Sequence, residues 1–254
     1  MSSDRLAYIS PTWPAPVSVR AYVSTRIGGV SATPFDALNL GMHVQDEPIA
    51  VQQNRDLFSS YVNMPDSVQW LNQVHGTDVV TLPYDPLLNN AIPESADAAF
   101  TRTAQQVCAV LTADCLPVFF CDSLGSQVAV AHAGWRGLCA GVLEATLRCF
   151  DDPSSVMVWL GPAIGPTAFE VGDEVKSAFV SVSLDAQKAF APSQQAGKWL
   201  GDLYMLATQR LQAAGVTHIY GGDHCTFTDV ERFYSYRRDG QTGRMASVIW
   251  LNKG

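Results

Sequence analysis

The chain has 254 residues, 47% of them hydrophobic, and sets 16 Lys and Arg against 24 Asp and Glu for a formal net charge of -8. That length and apolar content can bury a real core, while the acidic balance argues against a general nucleic-acid or anionic-membrane binder, which needs a basic face. No apolar run approaches bilayer length, and Met1-Ser2-Ser3-Asp4-Arg5 lacks the basic stretch and apolar core of a signal peptide, so a soluble, cytoplasmic protein is expected.

Composition stays even along the chain, with no Pro-, Gly- or Ser-rich linker, low-complexity segment or internal repeat, so a single domain over residues 1–254 is expected. The six cysteines include no Cys-x-x-Cys pair and read as free thiols rather than a disulfide framework. Cys108, Cys121, Cys139 and Cys149 each sit in an apolar pattern, where a thiol packs as a small hydrophobe.

Residues 6–23, rich in Pro and β-formers, read as an extended stretch ending at Ser24-Thr25-Arg26-Ile27-Gly28-Gly29-Val30-Ser31. The paired glycines mark a tight loop. With Arg26 beside them their backbone N–H groups suit an anion, and a plain turn carrying a surface arginine explains them equally well. Leu38-Asn39-Leu40-Gly41 continues the loop. A helix follows, with Asp46 as its cap, Pro48 in its first turn, and Val51, Asn54, Phe58 and Tyr61 on one face. Asn54 on that apolar face is either a core hydrogen-bonding group or a ligand contact, with Arg55 beside it.

Trp70-Leu71-Asn72-Gln73-Val74-His75-Gly76 reads as a strand ending in a histidine. Residues 82–95, with three prolines and Asn89-Asn90, read as a loop, and order resumes at Ala96-Asp97-Ala98-Ala99-Phe100. Cys108 to Ala113 is a buried strand. Next comes a hairpin: Val118 to Cys121 as the outgoing strand, Asp122-Ser123-Leu124-Gly125 as its turn, Gln127 to Ala133 as the return. The period of two places Val128, Val130 and His132 on one face, so His132 points inward, where a histidine needs a partner. Cys115 stands just before the outgoing strand, and the hairpin brings its thiol near the imidazole.

Gly137 to Asp151 reads as one helix with Leu138, Val142, Leu143, Leu147 and Phe150 toward the core. At its start, Gly134-Trp135-Arg136-Gly137 offers free N–H groups, the helix dipole and Arg136 to an anionic group; the alternative is a glycine-rich turn with Arg136 solvated. Val156 to Leu160 is a strand, Gly161 to Pro166 a rigid loop walling a pocket, and Phe169 to Val175 the start of a helix whose acids face water. A helix from Asp202 to Ala214 is stopped by Gly215, and Thr217 to Tyr220 is a strand. Between residues 232 and 244 lie four arginines, Arg232, Arg237, Arg238 and Arg244, and no lysine. They form either a two-handed clamp for phosphate or carboxylate or a solvated charge run.

The chain has five histidines. Two of them, His75 and His132, end apolar runs as Cys115 does. A His, Cys, His set with no fourth protein ligand is the make-up of a catalytic zinc site with an open position. Zinc there would lower the pKa of a water toward about 7 or act as a Lewis acid. The same atoms fit a cysteine hydrolase, with Cys115 as thiolate, His132 as base and Asp114 or His75 as orienter. A buried structural cysteine is the third account. A trinuclear copper cluster with an electron-entry copper would consume more imidazoles than the chain has, although copper can replace zinc on the same ligands.

Seven stretches together closely resemble the YfiH/YlmD family, also labelled laccase-domain-containing or polyphenol-oxidase-like. They are Thr25 to Ser31, Leu38 to Gly41, Gln73-Val74-His75-Gly76, Thr112-Ala113-Asp114-Cys115-Leu116-Pro117, His132 to Gly137, Gly161-Pro162-Ala163-Ile164-Gly165 and Ser235 to Arg244. They run in the family's order over nearly the whole chain; residues 82–95 and 176–198 carry none of the pattern. The resemblance implies an α/β (α+β) fold of layered mixed sheets flanked by helices, similar to the cytotoxic necrotizing factor catalytic domain. It implies zinc on His75, Cys115 and His132, with copper as a substitute. The implied activity is that of a purine nucleoside phosphorylase on adenosine, inosine, guanosine or methylthioadenosine, with adenosine deaminase activity; a monomer or weak homodimer is expected. Arg26, Asn54, Arg55, Arg136, Arg237 and Arg238 are the candidates for holding substrate or phosphate. A peptidoglycan-precursor editing amidase and a non-catalytic metal- or partner-binding protein are the competing functions.

Overall fold

The computed structural model describes residues 6–83 and 95–253; of the loop expected over residues 82–95, residues 84–94 lie outside them. Two mixed sheets stack face to face. The first runs in the order Tyr8–Ile9, Val19–Ser24, Met245–Leu251, Val107–Thr112, Val68–Trp70. The second runs His218–Gly221, Val156–Leu160, Leu116–Asp122, Val128–Ala133, Ala98–Thr101, Val79–Leu82. Three of the four edge pairs are parallel; the edge pair of Tyr8–Ile9 with Val19–Ser24 and the pairs in the middle are antiparallel. A small third sheet of Glu170–Gly172, Lys198–Gly201 and Phe190–Pro192 sits apart.

The central strands read as unbroken apolar runs because both of their faces are covered. From Leu116–Asp122, Phe119 and Cys121 point into the layer between the sheets, where Val128, Val130, Trp159, Val110 and Ile249 meet them. Leu116, Val118 and Phe120 point the other way, onto the helices Trp135–Ala140, Val142–Leu147, Asp173–Val182 and Leu203–Ala213. On the far side, Val107, Ala109, Leu111, Val248 and Trp250 pack under Phe58 and Val62 of the helix Pro48–Val62. The result is a helix, sheet, sheet, helix stack in which each fully buried large apolar side chain contributes about 1.5–3 kcal/mol. No helix among the described residues is long and apolar enough to cross a membrane.

Several expected elements change in detail. The long helix over residues 137–151 is two short ones: it begins at Trp135 and breaks at Gly141, whose φ of 107° no right-handed helix accepts. In Pro48–Val62 the buried row ends on Val62, while Tyr61 turns outward against the edge of Tyr8. Asp46 does not cap that helix; its carboxylate accepts from Ser31 Oγ and Asn39 Nδ2 and ties the preceding loop together. The helix expected from Phe169 starts at Asp173, after a short strand, and its first-turn acids Asp173 and Glu174 are exposed. All six cysteines are unpaired.

Candidate metal and substrate site

The site lies where the two sheets end. In the hairpin register Pro117 faces His132, so by the period of two Cys115 stands diagonally across from His132 on the same face. His75 arrives from the other sheet, but not on a strand. The strand stops at Trp70, and the side chain of Gln73 takes over the ladder, donating to Leu111 O (2.8 Å) and accepting from Leu111 N (2.7 Å). Freed from pleating, the chain turns at His75 with φ of 62° and swings the imidazole toward Cys115, Sγ to Nε2 3.8 Å. The His75 and His132 rings meet edge to face at 4.8 Å. One donor atom from each of His75, Cys115 and His132 lies within 4.8 Å of the other two.

Asp97, which sequence reasoning left without a role, organises both imidazoles. Its carboxylate is fully buried. Oδ1 accepts from His132 Nδ1 (2.7 Å) and from the backbone N–H of His75 (3.0 Å); Oδ2 accepts from the N–H groups of Gly76 (2.6 Å) and Val74 (3.2 Å). One acid thus fixes the tautomer of one histidine, leaving its Nε2 for a ligand, and shapes the turn that presents the other. Burial opposes its ionisation, but His132 and the Gly76 and Val74 amides outweigh it and hold the carboxyl below its usual range.

Electrostatics couple the thiol to the same imidazole. Burial disfavours the Cys115 thiolate, yet the charge and hydrogen bond of His132, then those of His75, draw the thiol well down; Cys115 and Asp97 in turn raise His132 against its own burial. The buried Cys108 and Cys121, with no such partner, are pushed up. Gly134 explains why no side chain intrudes: a Cβ there would lie 2.7 Å from His75 Cδ2 and 3.0 Å from Cys115 Sγ. Two nitrogens and a soft thiolate with a carboxylate behind one imidazole, kept clear by a glycine, suit a tetrahedral ion with one position left over.

The three residues line a cavity of about 750 Å³. Trp70, Leu71, Leu111, Met42 and Tyr236 give it apolar and aromatic walls, and His43, Arg55 and Arg244 give it polar ones. Of the six other candidates from sequence, only Arg55 lines it. Arg26 donates to Asp36 O and pairs with the Asp36 carboxylate. Asn54 is in the core, accepting from Val30 N and donating to Ser31 Oγ, Ala37 O and Asn39 O. Arg136 is exposed and lies over the Trp135 ring. Arg237 donates to Glu170 O, and Arg238 to three carbonyls and Asp239, holding the segment before the last strand in place. The arginine run is therefore chiefly a set of loop ties. Asp114 does not orient an imidazole; it accepts from Thr226 Oγ1 and Arg237 N. Sequence reasoning gave His43 no role and named Arg244 only as part of the run, since nothing local marks either as facing the cavity.

Known proteins share this chain's sequence and fold. A family model described as multi-copper polyphenol oxidoreductase laccase matches residues 20–252. A protein of Escherichia coli K12 called purine nucleoside phosphorylase YfiH is 55% identical, over 96% of this chain and 98% of that one. A Streptomyces coelicolor purine nucleoside phosphorylase is 37% identical over 89% and 93%. Among solved structures, protein NMB0706 of Neisseria meningitidis superposes with a TM-score of 0.90 at 47% identity, covering 97% of this chain and 99% of that one. YlmD of Geobacillus stearothermophilus gives 0.83 at 31%, covering 94% of each. On sequence and structure together, the chain belongs to the multi-copper polyphenol oxidoreductase laccase family, the family of the YfiH and YlmD proteins.

Proposed function

We propose that the chain is a zinc-dependent purine nucleoside phosphorylase, acting on adenosine, inosine, guanosine and methylthioadenosine with inorganic phosphate, and that it also deaminates adenosine. The observation that carries this reading is the convergence of His75, Cys115 and His132 at one end of an aromatic-walled cleft, in a chain whose relatives bear the purine nucleoside phosphorylase name. The cleft falls within the roughly 300–1,000 Å³ usual for small-molecule sites. All three ligating residues come from one chain, which suits a monomer or weak homodimer.

Zinc would be held by His75, Cys115 and His132 and would supply Lewis acidity and activation of water. In phosphorolysis a phosphate oxygen bonds to C1′ of the ribose as the bond from C1′ to the base nitrogen breaks, and the base leaves with the proton that the phosphate gives up. In deamination the oxygen of water bonds to C6 of adenine and ammonia departs. The chain's own work is positioning. Tyr236 offers a ring for a purine, Asp97 keeps His132 from rotating, and the guanidiniums on the wall are placed for an anion.

The copper-oxidase description fits the residues less well. All five histidines are among the described residues; His218 and His224 lie outside the cleft, and His43, His75 and His132 cannot furnish a multi-copper cluster. Copper can still occupy the His, Cys, His set in place of zinc. The second reading, a peptidoglycan-precursor amidase, is favoured by one observation: Cys115, His132 and Asp97 form a nucleophile, base and orienter chain.

The test is to incubate metal-analysed protein with adenosine and phosphate and identify products by chromatography. Adenine, ribose 1-phosphate and some inosine are expected, until a chelator is added. Turnover that survives zinc removal and dies on Cys115→Ser supports the cysteine hydrolase instead.

A further inference from the structure

The cleft carries two guanidiniums that no carboxylate among the described residues meets in an ion pair. Arg55 and Arg244 form no ion pair among the described residues, whereas Arg26, Arg102, Arg210, Arg232 and Arg238 each do. Among the described residues no Asp or Glu lines the cavity, although the chain as a whole carries a net charge of -8. Burial lowers the pKa of both guanidiniums, for Arg55 with no opposing influence and for Arg244 against the pull of Cys115 and Asp114. A desolvated cation left in that state is costly unless something of opposite charge completes it.

Both guanidiniums are built into position by one short loop. Leu40 donates its N–H to Arg244 O (3.1 Å) and accepts from Arg55 Nε at its own carbonyl (3.0 Å). Asn39 Oδ1 accepts from Arg244 N (2.9 Å). Gly41 lets the Arg244 stem pass, since a Cβ there would lie 2.8 Å from Arg244 Cγ. Arg55 is further held over the Trp70 ring, its Cζ 4.0 Å from the centroid. These ties use Arg55 Nε and, through Thr242 O and Gly243 O, Arg244 Nη1; the Arg55 Nη atoms and Arg244 Nη2 have no protein partner among the described residues. His43, from the same loop region, lines the cavity beside them and is exposed to it.

We infer that Arg55, Arg244 and His43 form the phosphate subsite of this cleft, holding inorganic phosphate beside the His75, Cys115, His132 cluster. This rests on the phosphorolysis reading and deepens it by assigning the second substrate to one wall. The planar fork of an arginine matches the oxygens of a tetrahedral oxyanion in a way that a point charge does not. The Tyr236 ring on the same cavity is left for the nucleoside.

The experiment measures inorganic phosphate binding to zinc-loaded protein by titration calorimetry without nucleoside, and the KM for phosphate and for inosine separately, in wild type, Arg244→Gln, Arg55→Lys and His43→Asn. Losing one charge-assisted contact should weaken phosphate about ten- to a hundredfold in Arg244→Gln. The KM for inosine should stay within about threefold, because the nucleoside contacts lie elsewhere. Arg55→Lys keeps the charge but loses the fork and should fall between. If Arg244→Gln does not fold, as judged by its melting in phosphate-free buffer, His43→Asn decides, since His43 is exposed. Phosphate affinity unchanged in the variants overturns the subsite even if nucleosides turn over. Loss of phosphate binding in a protein that turns over no nucleoside supports the subsite and refutes the phosphorylase reading.

Discussion

Replacing Asp97 by Asn tests how the site is held together. The side chain is fully buried and accepts four hydrogen bonds, two at each oxygen: His132 Nδ1 and His75 N at Oδ1, Gly76 N and Val74 N at Oδ2. An amide presents an NH2 group where one of those oxygens stood, so whichever way it sits, two donors face another donor. Hydrogen bonds to a charged group contribute about 1.5–3 kcal/mol each, so losing two costs roughly 3–6 kcal/mol, a large share of the about 5–15 kcal/mol by which a domain is stable. The turn at His75, with φ of 62°, loses its main tether, and the His132 ring loses the acceptor that fixes its tautomer. Zinc affinity is therefore expected to fall about 10- to 100-fold. The assay pairs thermal melting of metal-free protein with competitive zinc titration. In the wild type the carboxylate's contribution is present above its ordinary pKa of 3.8 and is lost as pH falls through the depressed folded value; in Asp97→Asn that acid limb should vanish. Unchanged melting and unchanged zinc affinity in Asp97→Asn would refute the role given to this residue.

The remaining predictions concern single positions around the same cleft. Gly134→Ala places a Cβ against His75 and Cys115 while the backbone, at φ of -61°, accepts alanine; activity should drop on the order of a hundredfold with melting nearly unchanged, and full activity would show the clearance to be unimportant. In metal-free protein the depressed Cys115 thiol should be ionised and alkylate rapidly at neutral pH, slow as pH falls through its pKa, and be protected by zinc, while Cys108 and Cys121 stay inert; mass spectrometry of the modified peptides reads this. Asn54→Ala should cost about 2–4 kcal/mol by leaving buried groups unpaired, seen in urea unfolding; wild-type stability would contradict its core role.

Sequence patterning carried the hairpin furthest. Its apolar runs, its turn and the period of two were enough to put Cys115 and His132 side by side, because antiparallel neighbours in a hairpin are set by local spacing. His75 was harder. A strand was expected through to Gly76, yet the ladder is continued by the Gln73 side chain and the backbone turns left-handed, a choice fixed by Asp97 some twenty residues away. Asp97 itself stands in an alanine-rich run, with no local sign that four donors from two distant segments converge on it. The arginines show the same limit. Arg238 and Arg244 look alike in sequence, but one faces Thr226, Phe227 and Phe233 carbonyls and the other the cavity, a difference set by the fold. In sequence Gly141 reads as part of one helix, because a single glycine in a helical pattern costs only about 1 kcal/mol relative to alanine.

The most direct test of the account is to load the purified protein with zinc, count ions per chain, and read the ligands by X-ray absorption. One ion per chain with one sulfur and two imidazole neighbours, the sulfur lost in Cys115→Ser, is the expected result. Several ions per chain, or a metal with no sulfur neighbour, would contradict it.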